Sequence, residues 1–104
     1  MAHRRRWMSK RELLSGDAVA AFLGVSPGWA RAGEALERIY SFADYSAAVG
    51  FVMRVALAAE RRDHHPDMLL SWGKVRVSWS THDAGGITGL DAEMATLCDR
   101  LHVG

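Results

Sequence analysis

Two hydrophobic periods alternate along this chain, and the places where the period changes divide it into elements. The first apolar set, Ala18, Val19, Phe22 and Leu23, predicts a short helix over about Gly16 to Leu23. The Gly- and Pro-containing stretch from Gly24 to Gly33 breaks it. Beyond Trp29, Leu36, Tyr40 and Phe42 fall at even spacing with Ile39 across the pleat, which predicts a strand over Leu36 to Phe42. Asp44 then offers an N-cap. From Tyr45 to Arg62 the period is that of a helix, with Tyr45, Ala48, Val49, Val52, Ala56 and Ala59 three or four residues apart. Phe51, Val55 and Leu57 widen this stripe, so the helix is expected to meet both the core and a second subunit. Pro66 excludes His65 from the α region, so the helix should stop near Asp63 or His64.

The period then returns to two. Met68 to Trp72 and Lys74 to Ser80, joined around Gly73, read as paired strands, and Val75, Val77 and Trp79 alternate with Lys74, Arg76, Ser78 and Ser80. Gly85 and Gly86 mark a turn. Thr88 with Asp91 three residues on resembles a capping box, and Leu90, Met94, Leu97, Cys98 and Leu101 give a closing helix its apolar face. The order α-β-β-α-β-β-α lacks the alternation of a parallel sheet. It predicts an α+β fold, an antiparallel sheet covered by helices.

Bulk properties narrow the class rather than the function. A length of 104 residues predicts a single domain over 1–104, with residues 1–15 as a mobile N-terminal arm bearing Arg4, Arg5, Arg6, Lys10 and Arg11. A net charge of +1, from 13 basic and 12 acidic residues, gives no reason to expect nucleic acid or an anionic membrane as partner. The apolar stretch Ala18 to Val25 is too short to span a bilayer and lacks the setting of a secretory signal. Cys98 is the single cysteine, which excludes an intrachain disulfide. A cytoplasmic protein is expected.

Candidate chemistry gathers around three histidines: His64 and His65 side by side, and His82 seventeen residues beyond His65. Imidazole is the side chain suited to donating and accepting protons near neutrality. At a helix end followed by an extended residue, two consecutive side chains can line one cleft, and Pro66 supplies that geometry. Glu60 lies four residues before His64 on the same helical face, placed to hydrogen-bond its ring, and Asp63 adds negative charge. His82 stands at a strand-to-loop junction, a common position for site residues. Each has a plainer reading: surface histidines, a turn histidine, and Asp91 as a capping residue only. Trp72 and Trp79 fit core or interface better than a substrate platform. Three imidazoles and a carboxylate also match a zinc ligand set, though no HExxH or CxxC spacing supports it.

These residues together resemble a known family. Glu60, three residues, His64-His65-Pro66, five residues, Trp72, nine residues, His82, eight residues and Asp91 match the signature of the pterin-4a-carbinolamine dehydratases. Trp29, the strand from Leu36 to Phe42, Phe51 to Ala56, and Thr81 to Thr88 also look like family segments, so the likeness runs from Trp29 to Leu101. The resemblance implies a four-stranded antiparallel sheet with helices packed on one face, assembled as a homodimer or homotetramer. It implies elimination of water from a 4a-hydroxytetrahydropterin, with no cofactor beyond that substrate. His64 and His82 would then be acid and base partners at the hydroxyl, and His65 would bind the pterin and share in proton transfer. Glu60 or Asp63 would orient the pair. His64 to Pro66 and the segment Thr81, His82, Asp83 and Ala84 would line the pterin, and Asp91 would hold the far side of the site or a neighbouring imidazole. Leu90 departs from members that carry a basic residue before the final Asp. The same fold also serves as a non-catalytic dimerisation or assembly-factor module, the alternative function, with a protein partner.

Overall fold

The computed structural model describes residues 10–102. Helix α1 (Gly16–Gly24) is followed by strands β1 (Ala30–Ala32) and β2 (Ala35–Ser41), helix α2 (Tyr45–Arg62), strands β3 (Asp67–Ser71) and β4 (Lys74–Trp79), a 3-10 turn (His82–Ala84) and helix α3 (Gly89–Leu101). The four strands form one antiparallel sheet in the order β1-β2-β4-β3. The sheet's pleat separates two faces. Leu36 and Tyr40 on β2, cross-strand from Trp79 and Val75 on β4, are buried. Ile39 and Leu69 point to the opposite, open face. Helix α2 packs against β3 and β4, and α3 against β2, β4 and α2. Ala48, Phe51, Val55 and Ala59 of α2 meet Leu90, Met94, Ala95 and Cys98 of α3 in the same core as the inward strand residues.

Helix boundaries follow side-chain chemistry. Asp44 accepts a hydrogen bond from the Ala47 backbone N–H and caps α2. At the other end Asp63 adopts a left-handed conformation (φ 49°), and the N–H groups of Asp63 and His64 bond the carbonyls of Glu60 and Ala59. Aspartate tolerates this backbone region better than most residues. Helix α2 therefore ends one residue before Asp63, within the expected limit. Tyr45, Met53 and Leu57 leave apolar surface on its outer side.

Asp99, near the end of α3, ties the helix layer to the sheet. Its carboxylate accepts from Trp29 Nε1 (3.1 Å to each oxygen), Arg38 (2.8 Å) and the Tyr40 hydroxyl (2.5 Å). Burial and the Asp99 hydrogen bond push the Tyr40 hydroxyl well above the ordinary phenol range. Beside it, Trp79 Nε1 donates to the buried Cys98 Sγ at 3.3 Å.

The expected N-terminal arm needs correction over its second part. Residues 1–9, with Arg4, Arg5 and Arg6, lie outside the described residues. Residues 10–14 instead form a strap across the start of α3. Leu90 N–H donates to Lys10 O (2.8 Å), Leu14 N–H to Ile87 O (2.9 Å), and Leu13 bridges Thr88. Side chains add to the strap: Glu93 joins Lys10 (3.0 Å) to Arg62 (2.6 Å), and these two cations hold its carboxyl below the usual range. Backbone bonds to a distant element are invisible to local periodicity.

Burial, with a smaller push from Asp99, raises the Cys98 thiol to about 12 against the opposing Trp79 hydrogen bond. The thiolate is the reactive form, so folded protein at pH 8 should resist a disulfide-exchange reagent such as DTNB. One equivalent should react promptly in denaturant, and prompt reaction of the folded protein would contradict this burial.

Candidate active site

The buried carboxylate of Asp91 organises the site. Asp91 lies in the first turn of α3, fully buried, where the helix dipole favours an anion. A buried carboxylate is stable only when its oxygens are satisfied, and here both are. Oδ2 accepts the Thr88 backbone N–H (2.8 Å), the reach-back half of the capping box, and the Thr81 hydroxyl (2.8 Å). The Thr88 hydroxyl lies 3.2 Å from the same oxygen and 2.8 Å from the Thr81 hydroxyl. Oδ1 is left for His64 Nε2, at 2.5 Å. A carboxylate offers only acceptors, so Nε2 carries the proton and donates it to Oδ1.

Three elements deliver His64 to that position. The left-handed turn at Asp63 directs it off the end of α2 and into the interior, where it is buried. Its ring stacks on Trp79 at the end of β4, 5.6 Å between centroids and 21° between planes. Asp91 holds its edge. With Nε2 committed, Nδ1 is the ring nitrogen remaining for the cleft that His64 lines.

The cleft, about 230 Å³, is bounded by Arg11, Asp63, His64, His65, Ser80, Thr81, His82 and Asp83. His64 and His65 follow α2, whereas Ser80 to Asp83 lead from β4 into the 3-10 turn, so two separate chain segments meet there. The turn is closed by Gly85 in a left-handed conformation (φ 78°), with the Thr81 N–H donating to Gly86 O at 2.9 Å. This hydrogen bond holds Thr81, and with it the start of the His82 loop, beside Asp91.

Several sequence expectations change in detail. Glu60 does not hold His64; it accepts from His65 Nε2 at 2.8 Å in an exposed pair. The i,i+4 spacing fails because α2 ends at Arg62 and the turn at Asp63 rotates the chain away from the helical register. Asp91 takes the neighbouring imidazole, one of its two expected tasks. Pro66, Ala84 and Glu60 do not line the cleft, while Asp63, His64, His65, Thr81, His82 and Asp83 do. Trp79 is core and supports His64, but Trp72 is 69% exposed and outside the cleft. Leu90, the departure from the signature, is buried in the core. Arg11 and Ser80 were not anticipated. Ser80 could have been read from its place beside Thr81, but Arg11 has no local signal because its partner Arg62 is 51 residues away. Among the described residues, no cluster of three or more His, Cys, Asp or Glu could hold a metal ion. No described helix is long and apolar enough to cross a membrane.

A four-stranded antiparallel sheet with helices on one face and a histidine cleft at their junction defines a class of small α+β proteins. Within that class, residues 12–101 match the family model described as pterin 4 alpha carbinolamine dehydratase. The chain belongs to this family. A protein of Nocardia farcinica named "Putative pterin-4-alpha-carbinolamine dehydratase" is 43% identical over 90 residues, covering 86% of this chain and 95% of that one. A protein of the same name from Thermosynechococcus vestitus is 40% identical over 92 residues, covering 88% and 97%. The crystal structure of a transcriptional coactivator/pterin dehydratase from Brucella melitensis superposes with a TM-score of 0.82 at 34% identity, covering 86% of this chain and 98% of that one. A pterin dehydratase-like protein identified as a RuBisCO assembly factor in the alpha-carboxysome shares the fold, with a TM-score of 0.62 at 19% identity over 72% of this chain and 89% of that one.

Replacing Asp91 by Asn puts an NH₂ group where one oxygen now accepts. Either the Thr88 N–H and Thr81 hydroxyl lose their acceptor, or His64 must change tautomer so that Nε2 accepts from the amide, and in both cases the charge-assisted hydrogen bonds of the carboxylate are gone. Asp91→Asn should cost about 1–3 kcal/mol of stability, measured by urea unfolding. An unchanged midpoint would show that the carboxylate is not the anchor described.

Proposed function

We propose that this chain is a 4a-hydroxytetrahydropterin dehydratase, a hydro-lyase that returns the carbinolamine to quinonoid dihydropterin and so serves tetrahydropterin recycling. The observation that carries the reading is an imidazole fixed through Nε2 to a buried carboxylate, lining one cleft with two further imidazoles.

The chemistry asks for two proton transfers. The C4a–O bond breaks as the N5 lone pair forms the C4a=N5 bond, and the departing oxygen leaves as water once it gains a proton. The proton on N5 must go to a base. His64 and His82 serve as the acid and base partners, and both line the cleft. His65, oriented by Glu60, binds the pterin and shares in proton transfer. Asp91 acts on His64 alone: its hydrogen bond fixes the ring so that Nδ1 is the nitrogen offered to substrate. No cofactor enters the proposed reaction.

Apolar side chains left exposed on α2, such as Met53 and Leu57, support an assembly as homodimer or homotetramer. A cytoplasmic, reducing location suits the single buried thiol. A non-catalytic assembly module would need no imidazole anchored by a buried carboxylate, which favours the enzyme reading over that alternative.

Stopped-flow turnover of freshly generated 4a-hydroxytetrahydropterin tests it. Wild type should accelerate dehydration, and His64→Ala and His82→Ala, folded by circular dichroism, should each lower kcat about 100-fold. Folded wild type that leaves the spontaneous rate unchanged would refute the enzyme and favour the binding module.

A further inference from the structure

The cleft holds a cationic residue that neither the histidine signature nor the reaction described above employs. Arg11 is the only Arg or Lys among the described residues that line it. It arrives from the strap, whose backbone is pinned on both sides of Arg11: Lys10 O accepts from Leu90 N–H, and Leu14 N–H donates to Ile87 O. The Arg11 side chain is directed by Nη2, which donates to Arg62 O at the end of α2 (3.4 Å). The strap thus reaches from the N-terminus of α3, which carries Asp91, to the C-terminus of α2, which precedes His64. The guanidinium is set at the cleft by the same elements that set the histidines.

The remaining lining residues define what such a cation would meet. Asp63 and Asp83 are acceptors at the cleft, suited to the donor edge of a pterin, its 2-amino group and N3–H. The imidazoles are engaged at C4a and N5 in the proposed reaction. The pterin's 4-oxo oxygen lies on the carbon bonded to C4a and needs a donor. A guanidinium supplies several N–H donors in a fixed plane and stays charged at every working pH, so it can contact protein and ligand together.

We propose that Arg11 is a substrate-binding residue that donates to the 4-oxo group of the pterin, selecting 4-oxo over 4-amino pteridine rings. The inference rests on the pterin reading of this cleft and adds a contact made by the strap. It asks no catalytic proton of Arg11, which keeps its protein partners and gains the ligand oxygen.

Binding of 6-methylpterin and of 2,4-diamino-6-methylpteridine, followed by ligand fluorescence, separates this role from a structural one. Wild type should bind the 4-oxo ring more tightly. Arg11→Ala should weaken 6-methylpterin about tenfold, the order expected for one charge-assisted hydrogen bond, and leave the 4-amino ring within about twofold. Arg11→Lys should recover part of the loss, since it keeps the charge without the planar fork. Arg61→Ala, an exposed cation on α2 outside the cleft lining, controls for net charge and should change neither affinity. In turnover, Arg11→Ala should raise KM about tenfold with kcat within about threefold. Equal loss for both rings, or no loss for either, would overturn the role of Arg11 and reduce the strap to a structural tie. Wild type that binds 6-methylpterin yet fails to dehydrate the carbinolamine would remove the dehydratase reading alone. Wild type that binds neither ring would remove both.

Discussion

A carboxylate with no solvent contact must find its partners within the protein, and the partners of Asp91 connect the parts of this site. Its hydrogen bonds draw together the first turn of α3, the end of β4 through Thr81, and the segment after α2 through His64. Each of those segments would otherwise be a loop or a helix end, the least constrained places in a small fold. Satisfying one buried charge therefore fixes three pieces of backbone around a cleft. The stack of His64 on Trp79 adds a rigid wall from the sheet. Preorganisation here is a consequence of folding, because the protein cannot bury Asp91 without also orienting the imidazole.

Helix α3 carries a second anchor of the same kind. Asp99 gathers Trp29, Arg38 and Tyr40, so the far end of the helix is tied to β2 and to the segment preceding β1. Two acidic residues on one helix thus bind opposite parts of the molecule, one supporting the core and the other the site. The division is chemical as well as spatial. Asp99 meets an indole, a guanidinium and a phenol, whereas Asp91 meets an imidazole, the side-chain type suited to proton transfer near neutrality.

The pattern of apolar residues was enough to find helices α1, α2 and α3 and strands β2, β3 and β4, because each element buries one face and its period records that face. Asp44, Pro66 and the Thr88–Asp91 pair marked ends that the structure places within a residue or two. What the sequence concealed were relations between elements. Extending the helical period of α2 through His64 paired that ring with Glu60, and a single left-handed residue at Asp63 undoes that extrapolation. Trp72 falls in the turn between β3 and β4 and is exposed, whereas Trp79 ends β4 on its inward face and supports the site, a distinction set by where the strands stop. Arg11 reached the cleft along a strap made of backbone hydrogen bonds, which leave no compositional trace.

The hydrogen bond between Asp91 and His64 has a direct spectroscopic readout. Long-range ¹H–¹⁵N correlation on the imidazole rings, at a pH where His64 is neutral, reports which ring nitrogen bears the proton. The account predicts that His64 is the Nε2–H tautomer, with an unprotonated Nδ1 offered to the cleft. A ring protonated at Nδ1 would contradict it, because Nε2 could not then donate to Asp91.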